Sequence, residues 1–307
     1  KKIYFISSCY GQEVKNQIQL MQPGDICLLE NVRFHAREEK NDSKFSESLA
    51  KYFDVYINDA FSASHRCHAS IVGITKFLPS YGGYLFEKEI TKLENSMKNL
   101  YKPTMAIIGG SKVSTKISLL KNLVKNFDYL VIAGGMANTF LAAKGYNVGS
   151  SNIEKEFFKE VIKIEKKALK INCKLILPTD VIASSKLINS NDAKRYLINN
   201  FNVNKKIFDI GFNSCNTINE LFPKVRTILW NGPLGAFEHK PFDNSTKIIS
   251  KSLKSKINKY NLKVILGGGD TIASLKNLDI LDKFFYVSNS GGAFLQWLEG
   301  KKLPGII

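Results

Sequence analysis

The chain has 307 residues, of which 44% are apolar and 23% are charged, and its formal net charge is +17. This composition is typical of a globular protein that is long enough to form two hydrophobic cores. No apolar segment approaches the roughly 20 residues of a membrane helix, and no signal-type segment opens the chain, so we expect a soluble, cytoplasmic protein without a membrane partner. The five cysteines are widely spaced, which favours free thiols in a reducing compartment.

The positive charge raises the question of a nucleic-acid partner, because clustered lysine and arginine release counterions from a phosphate backbone. The excess is almost entirely lysine, scattered over segments rich in Asn and Ile, and arginine, the better bidentate phosphate ligand, is scarce. We therefore predict no dedicated nucleic-acid partner. The same positive field would attract small polyanionic substrates.

Short apolar segments alternate with longer amphipathic, lysine-rich segments, which is the pattern of βα units on a parallel sheet. The predicted strands, in chain order, are Ile26–Leu29, Val55–Ile57, Met105–Ile108, Tyr129–Ala133, Lys174–Leu177, Thr227–Trp230, Lys263–Leu266 and Phe284–Val287. In open parallel sheets ligands bind outside the carboxyl ends of the strands. We therefore expect the functional residues in the loops that follow these strands.

Two loops after early strands carry arginine and histidine, at Leu28–His35 and at Asn58–Ser70. A metal site is one interpretation, but His65 and His68 lack a convincing third ligand in the sequence. An anion pocket fits better, with Arg33 and Arg66 as bidentate phosphate ligands. The supporting donors would be the histidines His35, His65 and His68. Isolated histidines are often structural, so the arginines are the stronger candidates.

Residues Leu85–Leu100 have apolar positions at helical spacing, and Pro103 follows just before a strand. This segment is predicted to connect two domains. We place the first domain with its connecting helix at residues 1–100 and the second at 101–290. Residues 291–307 form a C-terminal segment whose turn-forming end could return towards the first domain.

Three glycine-rich loops lie between a predicted strand and a predicted helix, where backbone N–H groups and the helix dipole favour phosphate. Glycine in such turns is also common for backbone freedom alone. Taken together, the loops predict a nucleotide polyphosphate held by several helix N-termini, although neither a P-loop nor a dinucleotide fingerprint is present. The loops are Gly109–Lys112, Gly267–Thr271 and Ser288–Gly292.

Several side chains near these loops are candidate ligand contacts. Lys112 and Lys116 are four residues apart, which predicts one shared helical face that reaches one anion, or else a solvated face. Asp270 could cap its helix or coordinate a nucleotide-bound Mg²⁺. Glu238 follows the segment Trp230–Phe237 and would suit a ribose hydroxyl.

The order of these motifs resembles the phosphoglycerate kinase family over nearly the whole chain. The motifs are Leu-Glu-Asn-Val-Arg-Phe-His, Asn-Asp-Ala-Phe, His-Arg-Cys-His-Ala-Ser, Gly-Gly-Ser-Lys-Val-Ser-Thr-Lys-Ile, Gly-Gly-Met-Ala-Asn-Thr-Phe, Leu-Pro-Thr-Asp, Trp-Asn-Gly-Pro-Leu-Gly-Ala-Phe-Glu and Gly-Gly-Gly-Asp-Thr. The resemblance implies an α/β protein with two Rossmann-like parallel-sheet domains joined by a helix. It also implies a glycolytic phosphotransferase with a carboxyl acceptor that reversibly converts 1,3-bisphosphoglycerate and ADP into 3-phosphoglycerate and ATP. Mg²⁺ accompanies the nucleotide, and the protein would be a monomer with hinge closure.

The resemblance assigns roles to individual positions. Arg33 and Arg66 match residues that hold the substrate's phosphate, with His35 and His65 beside them. Lys112 matches the lysine close to the transferred phosphoryl group, and we group Gly269 and Gly292 with it. The nucleotide contacts are Lys116, Glu238, Gly268, Gly269, Asp270 and Thr271, and Asp270 is also the metal ligand.

Two departures from the family pattern concern the chain's start and its last glycine loop. The family's opening strand, with the residues that contact the glycerate and a catalytic arginine, has no counterpart before Lys1. We therefore expect a first domain that is N-terminally truncated and a poorly active fragment. A non-catalytic nucleotide-binding remnant or a basic polyanion-binding protein are the alternatives. Asn289 and Ser290 stand where the family has more glycine, and Ser290 could either crowd the transferred phosphate or donate to it.

Overall fold

A computed structural model describes residues 2–98, 100–288 and 290–306. The chain divides into two compact units, Lys1–Lys92 with Lys302–Ile307 and Leu93–Lys301. Within the described residues, no helix combines the length and the apolar character needed to cross a bilayer.

The first unit consists of short strands and helices. They are β1 (Ile3–Ile6), α1 (Gln12–Leu20), β2 (Ile26–Leu29), α2 (Ala36–Glu39), α3 (Ser43–Ala50), β3 (Tyr56–Asn58) and β4 (Ser80–Gly82). Helix α4 (Tyr84–Lys98) starts in this unit and ends in the second.

The second unit alternates strands and helices. They are β5 (Thr104–Ile108), α5 (Ile117–Asn126), β6 (Tyr129–Ile132), α6 (Gly135–Ala143), α7 (Phe158–Lys170), β7 (Lys174–Ile176), β8 (Asp180–Ser184), β9 (Lys194–Leu197), β10 (Lys206–Ile210), α8 (Phe212–Asn219), β11 (Thr227–Asn231), α9 (Asn244–Tyr260), β12 (Lys263–Gly267), α10 (Gly269–Leu275), β13 (Tyr286–Ser288) and α11 (Gly291–Leu298).

A six-stranded parallel sheet in the order β13-β12-β11-β5-β6-β7 forms the centre of the second unit. All residues of β5 and β11 are buried, as expected where helices cover both faces of a parallel sheet. The chain continues from β5 to β6 and β7 in one direction, whereas β11, β12 and β13 lie on the other side. The direction in which the chain adds strands therefore changes between β5 and β11, and such a switch point is where open parallel sheets bind ligands.

The predicted α/β class and its parallel sheet are confirmed. The three-stranded antiparallel sheet β10-β8-β9 was not predicted. Its strand β9 is largely exposed and carries Lys194 and Arg195, so it lacks the apolar run that marks a buried strand. A separate core that includes Leu141, Val181 and Phe201 stabilises this part of the unit.

The first unit contains two parallel strand pairs, β1-β2 and β3-β4, of which β1 and β4 were not predicted. Phe45, Leu49 and Ile74 belong to its core. On the other face of β1-β2, the paired residues of the two strands expose between 51% and 73% of their area. These residues are Ile3, Phe5, Ile26 and Leu28.

The observed division of the chain differs from the predicted domain ranges at the C-terminus. Helix α11 belongs to the second unit, where Asn122 Nδ2 donates to the Leu298 carbonyl at 2.6 Å. The returning segment is therefore shorter than expected, since only Lys302–Ile307 groups with the first unit. Within that unit, Gly305 N donates to the Ser64 carbonyl at 2.9 Å and Leu303 is buried.

Asp209 is a buried carboxyl that joins β10 to the start of α9. It is 1% exposed and accepts hydrogen bonds from the hydroxyl and the backbone N–H of Ser245. A Cβ on Gly235 would lie 2.2 Å from Asp209 Oδ1, so this loop passes directly over the carboxyl. Burial raises the pKa of Asp209 to about 7.

We expect Asp209 to make the second unit less stable as the pH rises. The unfolded carboxyl loses its proton near pH 4 and the folded one near pH 7, so the contribution of Asp209 falls between these values. On going from pH 5 to pH 8, the stability of Asp209→Asn relative to the parent chain should improve by about 2 kcal/mol. Urea unfolding followed by tryptophan fluorescence reports on this unit, because both tryptophans, Trp230 and Trp297, lie in it. A difference independent of pH would contradict the raised pKa.

Candidate active site

A cleft of about 310 Å³ lies at the carboxyl ends of the central strands in the second unit. Its walls come from the loops after β5, β6, β11 and β12, together with β10. The lining residues are Gly110, Ser111, Gly134, Gly135, Asn138, Asn152, Lys206, Ile207, Phe208, Pro233, Gly235, Ala236, Phe237, Glu238 and Asp270.

Some glycines of the cleft are required by the close approach of neighbouring loops. A Cβ on Gly109 would lie 1.8 Å from the Pro233 carbonyl oxygen, and one on Gly134 would lie 2.7 Å from Gly110 N. Gly134 and Gly232 also have φ of +68° and +93°, a region that L-residues with side chains rarely adopt. For these positions, backbone packing explains the glycine.

Gly269 has a different environment. Its Cβ would meet nothing within 4 Å, and its φ lies outside the left-handed region. Neither sterics nor backbone conformation of the described chain therefore demands glycine at the first residue of α10. The absence of a side chain keeps the start of this helix accessible, which is the environment that suits a bound anion.

Lys116 and Asn231 meet at the switch point between β5 and β11. Lys116 Nζ donates to Asn231 Oδ1 at 2.8 Å and to the Gly109 carbonyl at 2.6 Å. Burial lowers the pKa of Lys116 to about 8, against the opposing effect of the Asp270 carboxylate. Asn231, which the sequence reasoning did not single out, thus fixes the lysine at the edge of the cleft.

The expectation that Lys112 and Lys116 share one helical face is wrong. Helix α5 begins at Ile117, so Lys112 lies in the preceding loop, where its side chain is exposed. Lys116 points inward to Asn231 instead. The two cations therefore occupy different environments and are not held as a pair by a helix.

A protein carboxylate occupies the turn after the first glycine loop. Glu154 Oε2 accepts from the backbone N–H groups of Val113 at 2.6 Å and Ser114 at 3.1 Å. Burial alone would raise the pKa of Glu154, but hydrogen bonds from the Ser114 side chain and these amides lower it overall. The predicted bare amides at this turn are thus partly taken by Glu154, which the sequence reasoning missed.

Two predicted ligand contacts of the Gly267–Thr271 loop, Asp270 and Thr271, lie in different environments. Gly268 is the N-cap of α10, and Asp270 lies in the first turn, exposed and facing the cleft. The capping role considered for Asp270 is therefore wrong. Thr271 is 1% exposed, and its hydroxyl accepts from Gly232 N at 2.6 Å and donates to the Gly267 carbonyl at 2.9 Å. The Thr271 side chain thus links two loops.

The remaining candidates lie at the rim and on the third glycine loop. Glu238 is exposed and lines the cleft. A Cβ on Gly291 would be 3.6 Å from Gly269 N, so the second and third glycine loops adjoin. Gly292 is exposed in the first turn of α11, and Ser290 is buried. Asn289 lies outside the described residues.

Four side chains of the first unit form a basic cluster, namely Arg33, His65, Arg66 and His68. Burial lowers the pKa of His65, and the positive charge of Arg66 lowers it further, with smaller effects from His68 and Arg33. His65 therefore lies within reach of the positive charges of Arg66 and Arg33. Among the residues that the structure describes, no group of three or more His, Cys, Asp or Glu side chains could hold a metal ion.

Two histidines of this region have structural partners. His35 packs against Tyr10 and Phe45, with ring centroids 5.1 and 5.4 Å away. His68 Nδ1 lies 3.6 Å from Glu38, a buried carboxylate that also accepts from the Ser70 N–H and hydroxyl. Aromatic packing therefore accounts for the position of the His35 ring, and the contact of His35 with a substrate stays a prediction.

Comparison with known proteins assigns the family. The sequence model of phosphoglycerate kinase matches residues 1–301. The chain belongs to the phosphoglycerate kinase family. It is 45% identical over 306 residues to phosphoglycerate kinase of Chelativorans sp. (strain BNC1) and 44% identical over 306 residues to that of Rhizobium meliloti (strain 1021), covering 100% of this chain and 77% of each relative.

Solved structures of the family have the same fold. Phosphoglycerate kinase from Coxiella burnetii matches with a TM-score of 0.84 and 37% identity, over 99% of this chain and 76% of that chain. The enzyme from Pyrococcus horikoshii OT3 matches with a TM-score of 0.80 and 29% identity, over 99% and 77%. These comparisons confirm the predicted family, its phosphotransferase activity with a carboxyl acceptor and its α/β fold. They give no support to a non-catalytic remnant.

We expect Lys116 to titrate separately from most other lysines. Carbon-13 labelling of the lysine side chains, with Lys116→Arg to assign the signal, should give a midpoint near pH 8 by NMR. Asn231→Asp should raise that midpoint, because a carboxylate beside Nζ stabilises the ammonium. Lys112→Arg, a change on the exposed loop, should leave it unaltered. A Lys116 signal that titrates at the usual lysine value in the parent chain would refute the enclosed environment.

Proposed function

We propose that the second unit binds Mg²⁺-ADP or Mg²⁺-ATP in the cleft and that the basic cluster of the first unit binds 1,3-bisphosphoglycerate or 3-phosphoglycerate. The reaction is the reversible glycolytic transfer in which a β-phosphate oxygen of ADP forms a bond to the acyl phosphorus. The bond from phosphorus to the carboxyl oxygen breaks, and a carboxylate leaves. The observation that carries this proposal is the pairing of Lys116 with Asn231 at the switch point of the sheet.

The two ends of the cleft suit the two ends of a nucleotide. Near β5 and β12, Gly110, Lys116 and Asp270 provide accessible backbone, a cation and a carboxylate. Towards β10, Ile207 and Phe208 provide an apolar wall. We assign the phosphates to the first end and the base to the second, with the exposed carboxylate of Glu238 available to a ribose hydroxyl.

Asp270 fits the predicted Mg²⁺. Its carboxylate is exposed at the accessible start of α10, and Mg²⁺ is commonly held by one or two carboxylates together with phosphate oxygens. The ion would supply positive charge to the nucleotide phosphates. Gly269 would allow the phosphates close to the helix N-terminus, and the exposed Lys112 would contact the group in transfer.

Phosphoryl transfer depends mainly on positioning and on neutralising spread negative charge. The first unit would contribute the permanent charges of Arg33 and Arg66, which suit bidentate contacts with a phosphate. His65 Nδ1 is buried and accepts no hydrogen bond from the described residues.

Hinge closure, a monomeric state and a cytoplasmic location remain predictions.

The metal assignment can be tested by calorimetric titration with ADP. We expect Asp270→Asn to weaken binding at least tenfold when Mg²⁺ is present and to have little effect when EDTA removes it, because the carboxylate acts through the metal. Asp282→Asn, which changes an exposed carboxylate that pairs with Lys283, should behave like the parent chain. Equal weakening by Asp270→Asn with and without Mg²⁺ would argue against a metal ligand.

The anion site can be tested by titrating 3-phosphoglycerate and following its phosphorus NMR signal. Arg66→Met should weaken binding at least tenfold, because it removes a bidentate phosphate contact. His35→Phe, which keeps an aromatic ring beside Tyr10 and Phe45 but removes the predicted supporting donor, should weaken binding less than Arg66→Met. Arg37→Met, which removes the same charge from an exposed position of α2, is the matched control. Equal losses in Arg37→Met and Arg66→Met would mean that general charge governs binding.

A further inference from the structure

Asn138 is a buried polar side chain whose hydrogen-bonding capacity is not fully used. It lies on α6, lines the cleft and is 2% exposed. Its Oδ1 is buried and accepts no hydrogen bond from any residue that the structure describes. Such atoms are rare in folded proteins, because a buried acceptor without a donor loses its hydration without compensation.

Other buried polar side chains around the cleft are satisfied within the chain. Asn231 bonds to Lys116 and Gly267, and Thr271 bonds to Gly232 and Gly267. Ser151 accepts from Ile207 N at 2.9 Å. Asn138 is thus distinguished from these neighbours by its unused acceptor, and a ligand in the cleft is a source of the matching donor.

The surroundings of Asn138 indicate which part of a ligand it would meet. It shares the cleft with Gly134 and Gly135 at the start of its own helix and with the apolar side chains of Ile207 and Phe208. Ligand pockets are typically lined by apolar side chains, with a few polar groups that fix the orientation of the ligand. The charged groups Lys116 and Asp270 belong to the phosphate end.

We propose that Asn138 selects the nucleobase, its Oδ1 accepting a hydrogen bond from the 6-amino group of adenine. This proposal rests on the proposed nucleotide function. An amide oxygen can only accept, and adenine presents a donor at the position where guanine and hypoxanthine present an oxygen acceptor. A 6-oxo base would leave two acceptors facing each other, which is the arrangement that sites of this kind reject.

Calorimetric titration with Mg²⁺-ADP and Mg²⁺-IDP tests this role. The parent chain should bind ADP about tenfold more tightly than IDP. Asn138→Leu, which has nearly the same volume and no acceptor, should lose about tenfold in ADP affinity with little change for IDP, so that the preference disappears. Asn138→Asp keeps an acceptor oxygen and should retain the preference. Asn126→Ala changes an exposed asparagine at the end of α5, outside the residues that line the cleft, and should leave the ratio unchanged.

The outcomes separate this inference from the nucleotide site itself. Equal weakening of ADP and IDP in a folded Asn138→Leu chain would overturn base selection while leaving the proposed nucleotide function in place. A parent chain that prefers IDP would also overturn it, since an amide nitrogen would then be the group that meets the base. No binding of either nucleotide by the folded parent chain would overturn the proposed function and this inference with it.

Discussion

The buried side chain of Asn231 holds together three neighbouring strand ends in the second unit. Its Nδ2 donates to the Gly267 carbonyl at the end of β12, and its Oδ1 accepts from Lys116. The backbone carbonyl of Asn231 accepts from Gly109 N after β5. These hydrogen bonds fix the orientation of the buried Asn231 amide, and they therefore also fix the position of the Lys116 ammonium relative to the sheet. The lysine donates to neutral oxygens of Gly109 and Asn231, so its charge is available to a polyanion.

The glycines around this network follow from two different physical requirements. Gly109, Gly134 and Gly232 let loops from β5, β6 and β11 pass at distances that a Cβ would prevent. Gly269 has no such neighbour within 4 Å of its virtual Cβ. The first group brings the cleft walls together, whereas Gly269 leaves the start of α10 accessible, so glycines in similar motifs meet different structural requirements.

The amount that could be predicted from the sequence depends on how local the determining contacts are. Strands β5 and β11 are continuous apolar runs, so their positions and the loops after them follow from the pattern. The direction of Lys116 depends on Asn231, 115 residues away, and the capture of the Ser114 amide depends on Glu154, 40 residues away. Spacing along the chain carries no information on such contacts. The antiparallel sheet escaped prediction because β9 is polar and exposed.

The two proposed sites are the basic cluster of the first unit and the cleft of the second unit. Both depend on cations that the protein leaves incompletely neutralised. Burial, together with the charges of Arg66 and Arg33, disfavours the protonated form of His65, so the permanent charge of the basic cluster belongs to the arginines. In the second unit, burial disfavours the charged form of Lys116, whereas Asp270 favours it. In the proposed function, a substrate with several phosphate charges would supply what each site lacks. The free energy of binding would then be directed at the transferred group and its neighbours, which is the contribution that phosphoryl transfer requires of a protein without a covalent nucleophile.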